Sequence, residues 1–549
     1  MKRHFRLDYF VVGEGILFAY ADGTPGIEQP STIAELRKYR FSRIGPKGPR
    51  LSQELRAKLA QAMTAAGPQP DSDNPVVPAG FTYLGQFVDH DLTLDRTSLK
   101  DTDKVIVSDL LSGRSPTLDL DCLYGNGPHD PESAEFYKDG VKFKLGKTAA
   151  TDFPDPRTNI DLEGFDLPRR GSGSKASERR KAVIADHRND ENLAVAQTHL
   201  AMLRFHNRVV DVLTSNGTPS ALLFDQAREA ATKHYQWMLK TDYLPLIVDA
   251  AILDDVFSNG RRIFEPAPKP GDLPTMPIEF SVAAFRLGHA MIRGAYHWNR
   301  VFRAGAPGGV ATLALLFQFS GTSGTLSPDS EPNKPDTGSF ERLPTNWITD
   351  FRRLFDFNAD GYPQFAVPTA EGLGNITKRI DTLLVDPLAT LPPGSFGFEQ
   401  GDPLEQNLAF RNLTRGSGLE LASGQQMAQL FAEHRIKIAE LTDEQILKGS
   451  GGAKLDTLDK TEKNELLAAT PLWFYVLREA EFNNGLMTGI GGRLVAETFH
   501  RAMEASTHSI LRNPDWRPDL GTNPGRFRMT DLLDFAFEGK AELLNPLGA

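Results

Sequence analysis

The chain reads as mainly α-helical: one large body with long irregular connections. Three observations predict it. Apolar residues recur at helical spacing. Leu51, Leu55, Leu59 and Met63 make an i+4 stripe, and Leu193, Ala196, Leu200, Leu203, Phe205, Val209 and Leu213 follow a 3.6-residue period. Strand-type alternation is scarce. No long Ser/Gly-rich or Pro-rich linker and no internal repeat divides the 549 residues.

Taken in order, residues 1–75 form an N-terminal arm with one helix, Leu51 to Ala66, stopped by Pro68 and Pro70. Residues 76–549 form the main domain. Residues 97–180, with many Gly, Asp and Pro, read as mostly loop. A long helix begins near Asn192. Further helices fit Leu222–Met238, Ser281–Met291, Thr345–Phe355, Gly424–Ala432, Glu462–Ala480 and Arg493–Ala505. Residues 321–340, rich in Ser, Pro, Gly and Asp, form a surface loop.

Composition narrows the function. Hydrophobic residues make up 40% and charged residues 24%, as in ordinary globular enzymes. A net charge of -10 argues against a nucleic-acid surface. No apolar run reaches the ~18 residues needed to span a membrane. Phe10 to Ala21 comes nearest, but Glu14 interrupts it and no cleavage pattern follows, so the expectation is a cytoplasmic chain or one exported by a signal-less route. The one cysteine, Cys122, allows no intramolecular disulfide and no Cys-based metal site within one chain. Its acidic neighbours Asp119 and Asp121 make it unattractive as a thiolate ligand, and it reads as a buried small side chain.

Five short segments carry chemistry. In Gly85-Gln86-Phe87-Val88-Asp89-His90-Asp91-Leu92-Thr93, a helix puts Gln86, Asp89 and His90 on one face and turns Asp91 about 100° away. The turn then serves two sites, or is only a solvated polar face. In Arg188-Asn189-Asp190-Glu191-Asn192, Arg188 and Glu191 stand three apart. The plain alternative has Asn189 or Asp190 capping the next helix, Glu191 favouring its dipole, and Arg188 exposed. In Phe285-Arg286-Leu287-Gly288-His289, the imidazole is a core histidine or a ligand, and Gly288 would let a flat macrocycle approach. In Arg411-Asn412-Leu413-Thr414-Arg415-Gly416, Asn412 and Arg415 stand at i and i+3. From Ser115 to Asp121, oxygen-bearing side chains recur at every second residue: Ser115, Thr117, Asp119 and Asp121. An extended loop would turn these four to one side, as hard oxygen ligands suited to Ca²⁺. It is not an EF-hand.

The first segment resembles, almost residue for residue, the distal-histidine motif of the animal-type haem peroxidases, members of the peroxidase–cyclooxygenase superfamily. The other four resemble that family's calcium loop, arginine motif, proximal-ligand helix and asparagine motif, which follow the first along the chain in the family's order. Leu343-Pro344-Thr345-Asn346-Trp347 and Leu472-Trp473-Phe474-Tyr475 extend the likeness. The resemblance implies the helical haem peroxidase fold over residues 76–549, haem b and Ca²⁺. It implies His90 as general base and then acid, Arg188 as stabiliser of charge, and Gln86 as a hydrogen-bonding neighbour for water or halide. His289 becomes the axial ligand to iron, Asn412 the acceptor of its Nδ1–H, and Arg415 a propionate partner. Asp89 and Glu191 match the carboxylates that form haem esters. Asn192 stands where a sulfonium-forming Met occurs in myeloperoxidase, so no third bond is expected. Asp91 would complete the calcium set of Ser115, Thr117, Asp119 and Asp121. The implied activity is reduction of hydrogen peroxide, with oxidation of a halide or small organic reductant through a ferryl intermediate. A fatty-acid dioxygenase of the superfamily would need Tyr where Arg286 stands. A silent scaffold would have lost His90, Arg188 or His289. The chain departs from the family at Gly416-Ser417-Gly418, where an Asp-His-Gly run is usual.

Overall fold

The computed structural model describes residues 39–65, 77–94, 107, 110–269, 272–327, 338–367, 375–391 and 404–548, with three strands nearer the N-terminus. Helices dominate. The principal ones are α1 (Gln53–Met63), α2 (Gly80–Leu92), α3 (Asp121–Tyr124), α4 (Leu193–Ser215), α5 (Leu223–Met238), α6 (Gly288–Met291), α7 (Leu408–Gly418), α8 (Gly424–Glu433), α9 (Lys460–Ala468), α10 (Leu472–Phe482), α11 (Gly489–Ala505) and α12 (Met529–Ala536). Strands are short. Pro25–Glu28, Gly15–Ala19, Phe10–Val11 and Leu110–Leu111 lie side by side, antiparallel, in that order. Phe41–Ser42 pairs in parallel with Met276–Pro277.

The long helix α4 is the hub. Asn192 caps it through a 2.9 Å bond from the Val195 amide to Oδ1. It packs against α2, α5 and α12, so its apolar residues are covered on several sides. Only Gln86 and Asp89 of α2 are not buried. Two glycines let α2 sit this deep. A Cβ on Gly80 would stand 2.2 Å from the Phe355 ring, and one on Gly85 would stand 2.3 Å from the Tyr243 hydroxyl. Helix α1 packs on α7. The boundary expected near residue 75 lies outside the described residues, as do residues 328–337 of the loop expected at 321–340.

Three expected helices are broken, each for a local reason. Glu462–Ala480 is two helices, α9 and α10, parted at Ala469–Pro471, where Ala469 leaves the helical region (φ -155°, ψ 76°) and Pro471 supplies no amide hydrogen. Thr345–Phe355 is two single 3₁₀ turns, Thr345–Trp347 and Phe351–Arg353. Side chains take the carbonyls a helix would have used. Asn299 Nδ2 donates to Asn346 and Ile348, and Trp298 Nε1 to Trp347. Ser281–Met291 is three short pieces: Ile278–Ser281, the 3₁₀ turn Ala284–Leu287, and α6. Ala283, at φ -128° and ψ -77°, breaks the first from the second. His289 therefore stands on a single helical turn.

Candidate active site

Helix α2 turns polar side chains into two separate clusters, as its spacing predicts. On one face, His90 Nδ1 lies 2.8 Å from Asn189 Oδ1. Gln86 Nε2 donates to Glu191 Oε1 at 2.7 Å, and Asn192 Nδ2 donates to Gln86 Oε1 at 2.9 Å. Glu191 Oε1 is 3.6 Å from His90 Nε2, close in charge but beyond a hydrogen bond. His90 and Glu191 are buried. Asp89, half-buried beside them, accepts from Thr93 Oγ1 at 3.2 Å.

Arg188 is not the exposed side chain of the plain reading, nor is Asn189 or Asp190 the cap of α4. Asp186 accepts from Arg188 Nε (3.0 Å) and Nη2 (2.7 Å), and also from Arg114. Burial alone would raise the Asp186 carboxyl. Arg188 and Arg114 overcome this and hold it well below the usual range. Arg188 Nη2 also donates to the carbonyls of His90 (3.0 Å) and Thr93 (2.6 Å), closing the end of α2. Nη1 takes no acceptor among the described residues, and Asp89 and Glu191 both lie within range of its charge. Asp190 pairs with Arg169.

His289 Nδ1 lies 2.8 Å from Asn412 Nδ2. The pairing matches the expectation, but the amide is turned nitrogen-first. An imidazole that gives Nε2 to iron carries its proton on Nδ1, which calls for the amide oxygen there, half a turn away. Burial, then Arg286 and Arg411, push the His289 pKa down to about 3, leaving a neutral ring fit to bind metal. Trp473 meets its edge at 6.3 Å. A Cβ on Gly288 would touch nothing within 4 Å, so the backbone is open at this turn. Arg286, Arg411 and Arg415 crowd together. Burial, then Arg415 and Arg286, lower Arg411 to about 10. Such a cluster suits a group bringing two carboxylates, as haem does.

On the other face of α2, Asp91 turns to the loop before α3. Its oxygens accept from the amides of Leu120 (3.2 Å) and Cys122 (3.3 Å). Leu120 is left-handed, φ 59°, to present them. The loop is bent rather than extended, because the oxygens bind one another. Ser115 Oγ is 2.7 Å from Thr117 Oγ1 and donates to Asp121 at 2.6 Å, and Thr117 donates to Asp119 at 2.7 Å. Asp119 also accepts from Ser506 Oγ at 2.6 Å. Burial first, then Asp121, raise the Asp91 carboxyl well above its usual range. The donors are of the expected kind. Among the described residues, however, no three His, Cys, Asp or Glu side chains stand together as a metal-binding group.

A sequence model of the animal haem peroxidase family matches residues 107–307, which hold the oxygen-rich loop, Arg188, Glu191 and His289. Over that segment the chain is similar to the animal haem peroxidase family. A "Peroxidase-like protein" of Margaritifera margaritifera is 25% identical over 305 residues, 48% of this chain. The chain spans only 36% of that relative's length. Among solved structures, peroxidase A of Dictyostelium discoideum superposes with a TM-score of 0.52 at 15% identity, covering 92% of this chain and 94% of the other. The chain thus has the helical fold of that structure, as the sequence predicts. A fatty acid alpha-dioxygenase of Arabidopsis thaliana gives 0.48 at 12% identity, over 99% and 82% of the two chains. No described helix of the chain is long and apolar enough to cross a membrane.

Sequence reasoning misses three partners: Asn189, Asp186 and His199. Asn189 reads only as a cap, yet its amide meets both His90 and His199. Asp186, outside the motif, anchors Arg188. An acid two residues before a buried Arg was the available signal for Asp186. Nothing in the sequence marked His199, on α4, as a neighbour of His90.

Proposed function

We propose that this chain is a haem-dependent peroxidase that reduces hydrogen peroxide and oxidises a halide or small organic reductant. One observation carries the reading. Two histidines, on the packed elements α2 and α6, each have Nδ1 within 2.8 Å of an asparagine amide, which leaves Nε2 of His90 for chemistry and would leave that of His289 once the Asn412 amide turns its oxygen to the ring. His289, with Asn412 behind it, would hold the iron of haem b. Arg415 and Arg286 would face its propionates, and Asp89 and Glu191 its ring methyls. Bound haem supplies the redox centre.

The side chains then divide the work. His90 Nε2 takes the proton from the near peroxide oxygen and returns it to the departing one. Arg188 Nη1 offers positive charge where the leaving oxygen becomes anionic. Gln86 orients water or halide beside Glu191. Hydroxyls and carboxylates of Ser115, Thr117, Asp119 and Asp121, with Asp91, would hold Ca²⁺ as hard oxygen ligands. Arg286, standing where a fatty-acid dioxygenase needs its radical tyrosine, supports the peroxidase over that alternative.

The test is an absorption spectrum of protein purified with haem supplied, followed by peroxide. A Soret band lost in His289→Ala, peroxide-dependent oxidation of bromide or a phenol, and no oxygen uptake with linoleate are expected. A haem-free protein, or oxygen uptake with linoleate in place of peroxide turnover, would overturn the reading.

A further inference from the structure

Behind His90 lies a buried chain that the sequence motifs do not contain. Asn189 is fully buried, and its two amide atoms face two imidazoles. Oδ1 meets His90 Nδ1 at 2.8 Å and Nδ2 meets His199 Nδ1 at 3.0 Å. The Cys122 sulfur also lies against this amide, and its thiol hydrogen is directed to the Phe87 carbonyl at 3.9 Å. His199 is fully buried on α4, with the Phe87 ring centroid 5.8 Å away.

An amide is directional, so the chain has a polarity. The NH₂ group can only donate, and it faces two atoms with lone pairs to give, His199 Nδ1 and Cys122 Sγ. The oxygen can only accept, so His90 must supply a hydrogen from Nδ1. A neutral imidazole with hydrogen on Nδ1 has its lone pair on Nε2, the atom a general base needs. Turning the amide over would reverse every step and put hydrogen on Nε2, where Glu191 at 3.6 Å would welcome it. That carboxylate is already engaged by Gln86 at 2.7 Å. The opposing pull is why a fixed amide matters. His199 stays neutral throughout, since burial lowers its pKa to about 3.

We propose that Asn189 and His199 are positioning residues that lock His90 in the Nδ1–H tautomer, with His199 acting through the Asn189 amide and without touching the substrate. The proposal rests on the peroxidase reading for its consequence and on hydrogen bonding alone for its content.

Two measurements test it. The first is the ¹⁵N chemical shifts of histidine-labelled protein, which report which ring nitrogen carries hydrogen. His90 should carry it on Nδ1 and His199 on Nε2, and the opposite pattern overturns the proposal. This holds with or without haem, so a failure of the peroxidase reading is told apart from a failure here. The second compares two ligands of the haem-loaded protein. Hydrogen cyanide must lose its proton to bind ferric haem, whereas carbon monoxide on ferrous haem has none to lose. Asn189→Leu should slow cyanide association at least about 10-fold, the low side of what a proton acceptor contributes, and leave carbon monoxide association unchanged. His199→Phe should slow cyanide by a smaller factor, and His199→Gln, which keeps an acceptor for the amide, should recover it. Equal loss for both ligands, or no loss for cyanide, would show that Asn189 and His199 only fill space.

Discussion

His90 and Arg188 are tied to each other through backbone. Arg188 Nη2 donates to the carbonyls of His90 and Thr93, so one guanidinium both ends α2 and faces the proposed peroxide site. Replacing either residue with Ala should slow the reaction with peroxide by roughly 100-fold, the usual weight of a positioned proton carrier or charge stabiliser. Their stabilities should differ. Arg188→Ala leaves the buried Asp186 with Arg114 alone and frees the last carbonyls of α2, costing on the order of 3 kcal/mol. His90→Ala should cost less. Stopped-flow absorbance and thermal melts of the haem-loaded variants separate the two effects, and wild-type rates in both would end these assignments. The carboxylates beside them carry a second expectation. After brief peroxide treatment, acid–organic extraction should leave part of the haem on the polypeptide. Asp89→Val and Glu191→Gln should each remove one linkage, and the double variant should release all of it. Asn192 offers no sulfonium bond, so the spectrum should be lactoperoxidase-like. Complete extraction of unmodified haem b from peroxide-treated wild type would reduce Asp89 and Glu191 to polar neighbours.

The element that matters most is α2, because one turn of it reaches both the proposed haem site and the oxygen-rich loop. Asp91, fully buried, is bonded to the amides that open α3. If Ca²⁺ neutralises Asp91, Asp119 and Asp121, removing it leaves like charges in a buried place, and α2 should loosen with His90 on it. Chelation should then lower the melting temperature and alter the haem spectrum together. Metal analysis finding no calcium, or a spectrum untouched by chelation, would leave Asp91 as a cap for the loop. The double use of this turn was legible in the sequence, because helical spacing fixes which side chains share a face: Gln86 and His90 on one, Asp91 on another. Helix α4 was legible for the same reason. What spacing cannot show is where carbonyls find partners outside the helix. Thr345–Phe355 has helical spacing, yet Asn299 and Trp298 capture its carbonyls from about 47 residues away in sequence. His199 escaped for a like reason, since a buried imidazole on an apolar helix shows its partner only once α2 and α4 are packed.

Across the whole molecule, buried titratable groups outside the proposed site set how stability follows pH. Burial lowers His199 to about 3 and His206 and His500 to about 4. Unfolded, they would titrate near the ordinary 6.5, so from about 4 to 6.5 the unfolded chain binds more protons and stability rises with pH. Burial raises Glu479 to about 8 and Asp242 to about 7. For these the folded chain binds more protons between the ordinary carboxyl range and those values, so stability falls as pH rises. With His289, also lowered to about 3, four imidazoles outweigh two carboxyls below about 6.5, and above it only the carboxyls titrate, so stability should peak near pH 6.5 and decline to about pH 8. Glu479 is the better probe. Its oxygens accept from the amides of Ile490 (3.1 Å) and Gly491 (3.1 Å) at the start of α11, bonds that a glutamine oxygen can keep in part. Glu479→Gln should therefore fold, match wild type near pH 5, and exceed it in denaturant midpoint above pH 8, with Asp242 left to supply a shallower decline. A wild-type midpoint that climbs from pH 6.5 to 8, or a Glu479→Gln variant that declines as steeply as wild type, would show that other groups govern the alkaline limb.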